Sequence, residues 1–234
     1  MGPDVQHRDR HDLGDDVIRH LRRRKRHESD AGFSLVELIV AMGIFSVLLA
    51  VFGAAVVTMT KDTVAVQDDV NATAELQRAM NAFDRQLRYS SGVNRPVLVG
   101  GQTWYLEYLI DATAPGVQPT CTQWRVSGTT DLLETRTWVN DTSGATVTPT
   151  AWTTVASRIT NDPATQPPFV LLPADATYTK QRLTVWLLSG RGSQDTQLKS
   201  TFVARNTSIS TSSNADNDGN GVSDNQVCTQ VGRP

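Results

Sequence analysis

Histidine is missing from everything after residue 27. The four that occur, His7, His11, His20 and His27, all lie before the long apolar run, so no acid, base or metal site built on imidazole can form in the rest of the chain. Cysteine is nearly as scarce. Cys121 and Cys228 are the only two, which leaves room for one intrachain bridge at most. No internal repeat occurs, and Ser and Thr, though abundant, form no recognisable nucleophile motif. Strong charge of one sign is absent as well: 22 Lys and Arg stand against 24 Asp and Glu. The residues after Gly32 carry 14 basic and 17 acidic side chains, a mild acidity that argues against general attraction to nucleic acid. These absences point away from an enzyme. A length of 234 residues gives space for one ordinary domain and an anchor.

One local asymmetry stands out against that background. The run Arg22-Arg23-Arg24-Lys25-Arg26 sits before the only long uncharged apolar stretch, which extends from Leu38 to Thr60. As a helix that stretch would span ~34 Å, enough for a bilayer core. The basic flank places Arg22 to Arg26 in the cytoplasm and the chain after Lys61 outside, where Cys121 and Cys228 can pair if that side is oxidising. A secretory signal peptide would have a shorter apolar region followed by a small-residue cleavage site. A buried core helix does not suit so basic a flank. A plain signal anchor fits length and charge but gives no reason for Glu37 near the start of the apolar helix, where an ionised carboxylate is costly. Read as a nucleic-acid patch, the basic run is the weaker alternative to its topogenic role.

Gly32-Phe33-Ser34-Leu35-Val36-Glu37 resembles the processing site of type IV prepilins, with a hydrophilic leader before it and apolar residues after it. The resemblance implies cleavage after Gly32 by a membrane prepilin peptidase, methylation of the new amine on Phe33, and a role for Glu37 in filament assembly. Glycine before the cut suits entry of the backbone into a protease site. The Phe33 amine and the Glu37 carboxylate would neutralise each other in apolar surroundings; in the family the pairing joins neighbouring subunits. The leader, residues 1–32, is long for the family and mixes acidic with basic residues.

Beyond Lys61 the apolar residues Val66, Val70, Leu76, Met80, Phe83 and Leu87 keep helical spacing, which predicts one helix from about Ser34 to about Tyr89, ending at Ser90-Ser91-Gly92 with a C-cap glycine and Pro96 beyond it. Gly43 and Gly53 in its membrane part either permit close packing or a bend, or are simply tolerated there. The stretch Gln77 to Arg88 resembles the same helix in larger minor pilins and J-type minor pseudopilins. A short major pilin is disfavoured by the length left after cleavage, and a K-type pseudopilin by the presence of Glu37. Thr103 to Ile110, Thr122 to Ser127, Leu132 to Val139, Leu183 to Leu188 and Ser200 to Thr207 read as strands. Gly100-Gly101, Ser127-Gly128, Asn140 to Gly144, Pro163 to Pro168 and Ser189-Gly190 read as turns and loops.

The fold expected is α+β and pilin-like: a leader over 1–32, a transmembrane helix half over 33–60, an exported amphipathic half over 61–92, and over 93–234 a head with an antiparallel sheet and a polar tail. Cys121 and Cys228 would staple that tail to the sheet. Asp216-Asn217-Asp218-Gly219-Asn220-Gly221 with Asp224 resembles an EF-hand-like calcium loop, with Asp216, Asp218, Asn220 and Asp224 as ligands. Val227 stands where the full loop has glutamate, a register starting at Asn214 is equally open, and an unliganded polar tail is the competing reading. The five tryptophans, Trp104, Trp124, Trp138, Trp152 and Trp186, are read as core packing ahead of a carbohydrate-binding stripe. The function expected is that of a minor pilin or pseudopilin: an inner-membrane precursor with an exported domain that joins a type IV pilus or a type II secretion pseudopilus. Its partners would be other pilins, the prepilin peptidase, the inner-membrane assembly platform and membrane lipid. A pilus-tip binding module, for adhesion or DNA uptake, is the alternative, and the one route by which nucleic acid would become a partner.

Overall fold

The computed structural model describes residues 32–112, 114–143, 145–190 and 195–234; the basic run and the four histidines lie outside them, as does Gly144. The chain divides into a compact unit that ends at Met59 and a second from Thr60 to Pro234. Helix α1, Leu35–Leu87, has residues in both. In the first unit its apolar side chains from Leu35 to Met59 are all exposed, and an added Cβ at Gly43 or Gly53 would meet nothing. Among the described residues α1 is the one helix with the length and composition to cross a membrane.

In the second unit α1 becomes a core element. It buries Ala72, Leu76, Ala79, Phe83 and Leu87, a spacing of threes and fours that keeps one face inward. Val66 and Val70, expected on that face, are 62% and 56% exposed. The packed stretch begins at Ala72, where small side chains let the helix approach the strands. The helix ends without the expected glycine cap. Tyr89 N–H donates to Gln86 O and Ser90 N–H to Leu87 O, and the Ser90 hydroxyl donates to Leu87 O at 2.7 Å, so a tightened last turn and a hydroxyl satisfy the terminal carbonyls. Gly92 lies instead in strand β1, where a Cβ would come within 3.0 Å of Val227.

The strands are β1 Gly92–Val93, β2 Val97–Val99, β3 Thr103–Ile110, β4 Thr120–Ser127, β5 Leu132–Val139, β6 Thr153–Ala156, β7 Phe169–Leu172, β8 Arg182–Gly190 and β9 Asp195–Val203. They form two antiparallel sheets where one was expected. The larger has the order β1-β3-β4-β5-β6, with β2 also on β3; the smaller is β7-β8-β9. The β2–β3 turn is Gly100-Gly101, both at positive φ, a backbone that glycine adopts without a steric penalty. The expected strand Ser200 to Thr207 is displaced toward the N-terminus: β9 stops at Val203, and Thr207 Oγ1 turns back to donate to Ala204 O. Ser189-Gly190, read as a turn, continues β8 and pairs with Thr196 and Asp195. The segment after β6 stitches the sheets together. Ile159 N–H donates to Asp131 O, Thr160 N–H to Leu188 O, and Gly190 N–H to Arg158 O.

Phe83 is the centre of the packing. Its ring stacks on Trp124 of the larger sheet at 4.2 Å between centroids, and meets Phe169 at 5.9 Å and Phe202 at 6.3 Å in the smaller one. These residues share one continuous core with Leu76, Leu87, Leu106, Leu133 and Leu187. The tryptophans divide between roles. Trp124 and Trp138 are buried, Trp104 donates to Pro163 O, Trp152 lies under the Arg125 and Arg136 guanidinium groups, and Lys199 sits over Trp186. Replacing Phe83→Ala should cost about 3–5 kcal/mol of head stability, read by denaturant unfolding. The Val66→Ala substitution, in the exposed stretch, should change stability by under about 0.5 kcal/mol.

Candidate functional site

Gly32, Phe33 and Ser34 precede the helix, and α1 begins at Leu35. Leu38 N–H donates to Ser34 O at 3.1 Å, so Ser34 accepts the first helical bond and the Gly32–Phe33 peptide lies in non-helical backbone. Phe33 is 83% exposed. Glu37 falls in the first turn of α1, where the helix dipole favours a negative charge. It is also the only charged residue between Phe33 and Thr60. Around it Leu35, Val36, Leu38 and Ile39 are exposed, a continuous apolar surface of the kind that meets lipid or other helices.

The second candidate is the acidic loop of the tail. Asp216, Asp218 and Asp224 bring one carboxylate oxygen each to within 4.8 Å of one another. Gly219 and Gly221 have φ of 70° and 80°, which lets the loop turn sharply. Asn217 donates from its backbone and its amide to Asp224 Oδ2. The Asn220 N–H and amide donate to Asp218, and Asn220 Oδ1 accepts from Val222 N–H. Asn214 is used elsewhere: it accepts from Ala174 N–H and donates to Ala174 O, so the register beginning at Asn214 lacks a free first ligand. Asp216 supplies the sharper test of fit. Arg95 Nε is 3.4 Å from its Oδ2, while Asp216 Oδ1 is buried without a hydrogen-bond partner. A buried carboxylate oxygen left unpartnered beside two other carboxylates matches what an oxygen-seeking cation takes.

Hydrogen bonds and a covalent staple hold this loop in place. Cys121 and Cys228 form a disulfide across 107 residues, packed with Trp138. Asn94 accepts from Val227 N–H and donates to Val227 O, and Arg95 N–H donates to the Ser223 hydroxyl. Glu107, 2% exposed, takes two bonds of 2.8 Å from Arg233 and a third from Gln123. That pairing with Glu107 holds the Arg233 guanidinium above its ordinary pKa. A buried carboxylate needs this compensation. Asn94, Arg95, Glu107 and Arg233 were not singled out from the sequence. Each acts across more than a hundred positions, and no local spacing marks such a pair.

A family profile described as the prokaryotic N-terminal methylation motif matches residues 29–53. That match gives the N-terminal segment a prepilin-like methylation motif, with Gly32 to Glu37 inside the matched segment. Comparison with curated proteins and with solved structures finds no match to it. Removing the staple with Cys121→Ser and Cys228→Ser together should lower head stability by up to about 4.7 kcal/mol on the chain-entropy estimate. Hydrogen exchange should then rise first in residues 216–234, while α1 from Ala72 to Leu87 stays protected.

Proposed function

We propose that this chain is a minor pilin or pseudopilin, a structural and assembly subunit made as an inner-membrane precursor and cut after Gly32. Residues 1–32 are the leader, 33–60 the membrane half of the helix, 61–92 the exported half with its end, and 93–234 the head. The observation that carries this reading is the junction itself. Gly32, Phe33 and Ser34 of the matched motif lie in non-helical backbone directly ahead of a helix whose first half is apolar, exposed and uncharged except for Glu37. After cleavage the Phe33 amine would supply a positive charge, and Glu37 would neutralise it in a neighbouring subunit or its own. The head, with two sheets and a stapled tail, supports a specialised subunit over a short major pilin. Its partners would be sister pilins, the prepilin peptidase and the assembly platform.

A second reading concerns the tail, and the orphaned Asp216 Oδ1 favours it. Asp216, Asp218, Asn220 and Asp224 would hold a calcium ion, whose charge would offset the repulsion among three carboxylates. The chain's own residues set the loop in advance: Asn217 and Asn220 orient Asp224 and Asp218, and Arg95 and Ser223 fix the loop to the segment that follows the helix.

Co-expression with a prepilin peptidase should yield a mature chain whose first residue is Phe33, and Gly32→Val should block the cut. A mature chain that starts elsewhere would overturn the assignment. Calorimetry on the full-length protein in detergent should detect calcium binding in the ~0.1–1 mM range typical of extracellular sites. Asp218→Asn combined with Asp224→Asn should remove the signal; no heat at millimolar calcium rejects the site.

A further inference from the structure

Folded chains blunt the edges of their sheets, because a row of unpaired N–H and C=O groups invites another strand. Most edges of the head are treated this way. Strands β1, β2, β6 and β7 have between 2 and 4 residues each. Pro96 precedes β2, and Pro167, Pro168 and Pro173 flank β7. The Gln181 amide closes the outer side of β1, accepting from Val93 N–H and donating to Val93 O, and Asn214 does the same at Ala174, just past β7. Strand β9 is different. It has 9 residues without a proline, keeps one register with β8 from Asp195 to Val203, and among the described residues pairs with β8 alone. Its lysine does not guard the edge: Lys199 Nζ lies over the Trp186 ring, 4.6 Å from the centroid.

The hydrogen bonds of β8 reveal which way β9 presents its backbone. Trp186 N–H donates to Pro168 O, Thr160 N–H to Leu188 O and Gly190 N–H to Arg158 O, so Trp186, Leu188 and Gly190 turn their backbone groups away from β9. Their partners in β9 are Lys199, Gln197 and Asp195, and opposed residues of an antiparallel pair exchange both bonds or neither. Gln197 and Lys199, and Thr201 by the same alternation, therefore aim N–H and C=O away from β8, where no backbone partner meets them among the described residues. Beside that edge runs a cleft of about 430 Å³, lined by Gln77, Met80 and Asn81 of α1 and by Leu198, Lys199 and Ser200. Lys199 projects from the opposite sheet face to Leu198 and Ser200, so a cleft that touches all three follows the edge itself. Met80 and Leu198 pack against the core and give the cleft its apolar floor, and α1 contributes no charged side chain to its lining.

We propose that the free edge of β9 takes an extended segment of a different polypeptide as an added strand of the smaller sheet. The backbone of that segment bonds to Gln197, Lys199 and Thr201, and its alternate apolar side chains enter the cleft against Met80 and Leu198. Backbone bonds give such a contact its affinity, and the alternate side chains give it selectivity. The cleft holds a few side chains, far less than the ~800 Å² per partner that two folded proteins bury, which suits a single segment and not a globular face. A second copy of this chain does not supply it. The other strands with a free side have at most 4 residues. A symmetric pair of β9 strands is antiparallel, with its two-fold axis perpendicular to the sheet, and that axis reverses α1, which packs along the sheet face. This exclusion rests on the membrane-anchored reading given above, in which one anchor orients every copy alike.

Fluorescence anisotropy with the purified full-length chain in detergent tests the pairing, with the end-capped peptide Lys-Thr-Val-Thr-Val-Thr-Lys as the probe. Saturable one-to-one binding at up to millimolar peptide is expected. Of two versions N-methylated on alternate amides, one should bind as the parent does and the other should not, because one set of amides faces β9 and the other faces away. Thr201→Pro removes an N–H that points away from β8 and so leaves that ladder whole. It should weaken the peptide about tenfold, the loss of one or two backbone bonds. Asn81→Arg, which crowds the cleft from an exposed position, should weaken it as well, and decides the question if the proline variant does not fold. An intact Cys121–Cys228 bond and unchanged melting verify each variant. On addition of the peptide, hydrogen exchange should slow at Gln197, Lys199 and Thr201 and stay as it was at Ser200. No saturable binding, or the same response from both methylated versions, overturns the proposal. Protection of those three amides that grows with protein concentration in the absence of peptide assigns the edge to a second copy and overturns it too. N-terminal sequencing after co-expression with the peptidase separates the two claims: a chain that begins at Phe33 leaves the pilin reading standing whatever the peptide does.

Discussion

The main core of the head turns on one aromatic contact set. Phe83 is the side chain through which α1 touches both sheets, stacked on Trp124 on one side and facing Phe169 and Phe202 on the other. Neither sheet closes a core alone. The larger offers Leu106, Trp124 and Leu133 and the smaller offers Phe169, Leu183 and Leu187, and the helix supplies the surface between them. Ala72 and Ala79, both buried, permit that approach because a larger side chain would hold the helix away from the strands.

The same helix answers to two environments, and its residues change where the environment does. From Leu35 to Met59 apolar side chains face outward all round, a pattern that suits lipid or packed helices and does not suit water. From Lys61 onward charged and polar residues join the outward surface, with Val64, Val66 and Val70 still exposed, and from Ala72 the buried residues form one stripe. Glu37 is the exception in the first half, and its position in the first helical turn gives the helix dipole something to stabilise. A carboxylate near the middle of that apolar run would have no comparable partner within its own chain.

The long and strongly periodic features were legible in the sequence. The apolar run, the prepilin-like N-terminal motif and the strands Thr103–Ile110 and Leu132–Val139 stand where residue type and spacing put them. The Cys121–Cys228 bridge was legible from the scarcity of cysteine. Features decided by distant partners were hidden. Gly92 looked like a helix cap because glycine follows the last apolar helical residue, yet its use is the close passage of Val227. Val66 and Val70 fit the helical period but lie ahead of the packed stretch. Short strands such as β1, β2 and β7 have too few residues to show a period, and their existence comes from the neighbour they pair with. The division into two sheets likewise follows from the three-dimensional path of residues 157–161, which carry no sheet signal of their own.

The tail follows a different physical rule from the rest of the head. Between Arg205 and Pro234 the large apolar side chains are few and Ile209 is exposed, so beyond the small cluster of Val227 and Val231 with the disulfide and Trp138, burial of hydrophobic area does not fix that segment. Polar contacts and one covalent bond do so instead. Asn94 and Arg95 fasten it just beyond the helix, Glu107 and Arg233 fasten its end, and the disulfide closes the long loop between. Buried polar contacts of this kind fix position sharply but add little net stability each. A segment held this way keeps its acidic loop in one place while remaining sensitive to the oxidation state of two sulfurs and to the charge balance around Asp216. Hydrophobic packing would have made it indifferent to both.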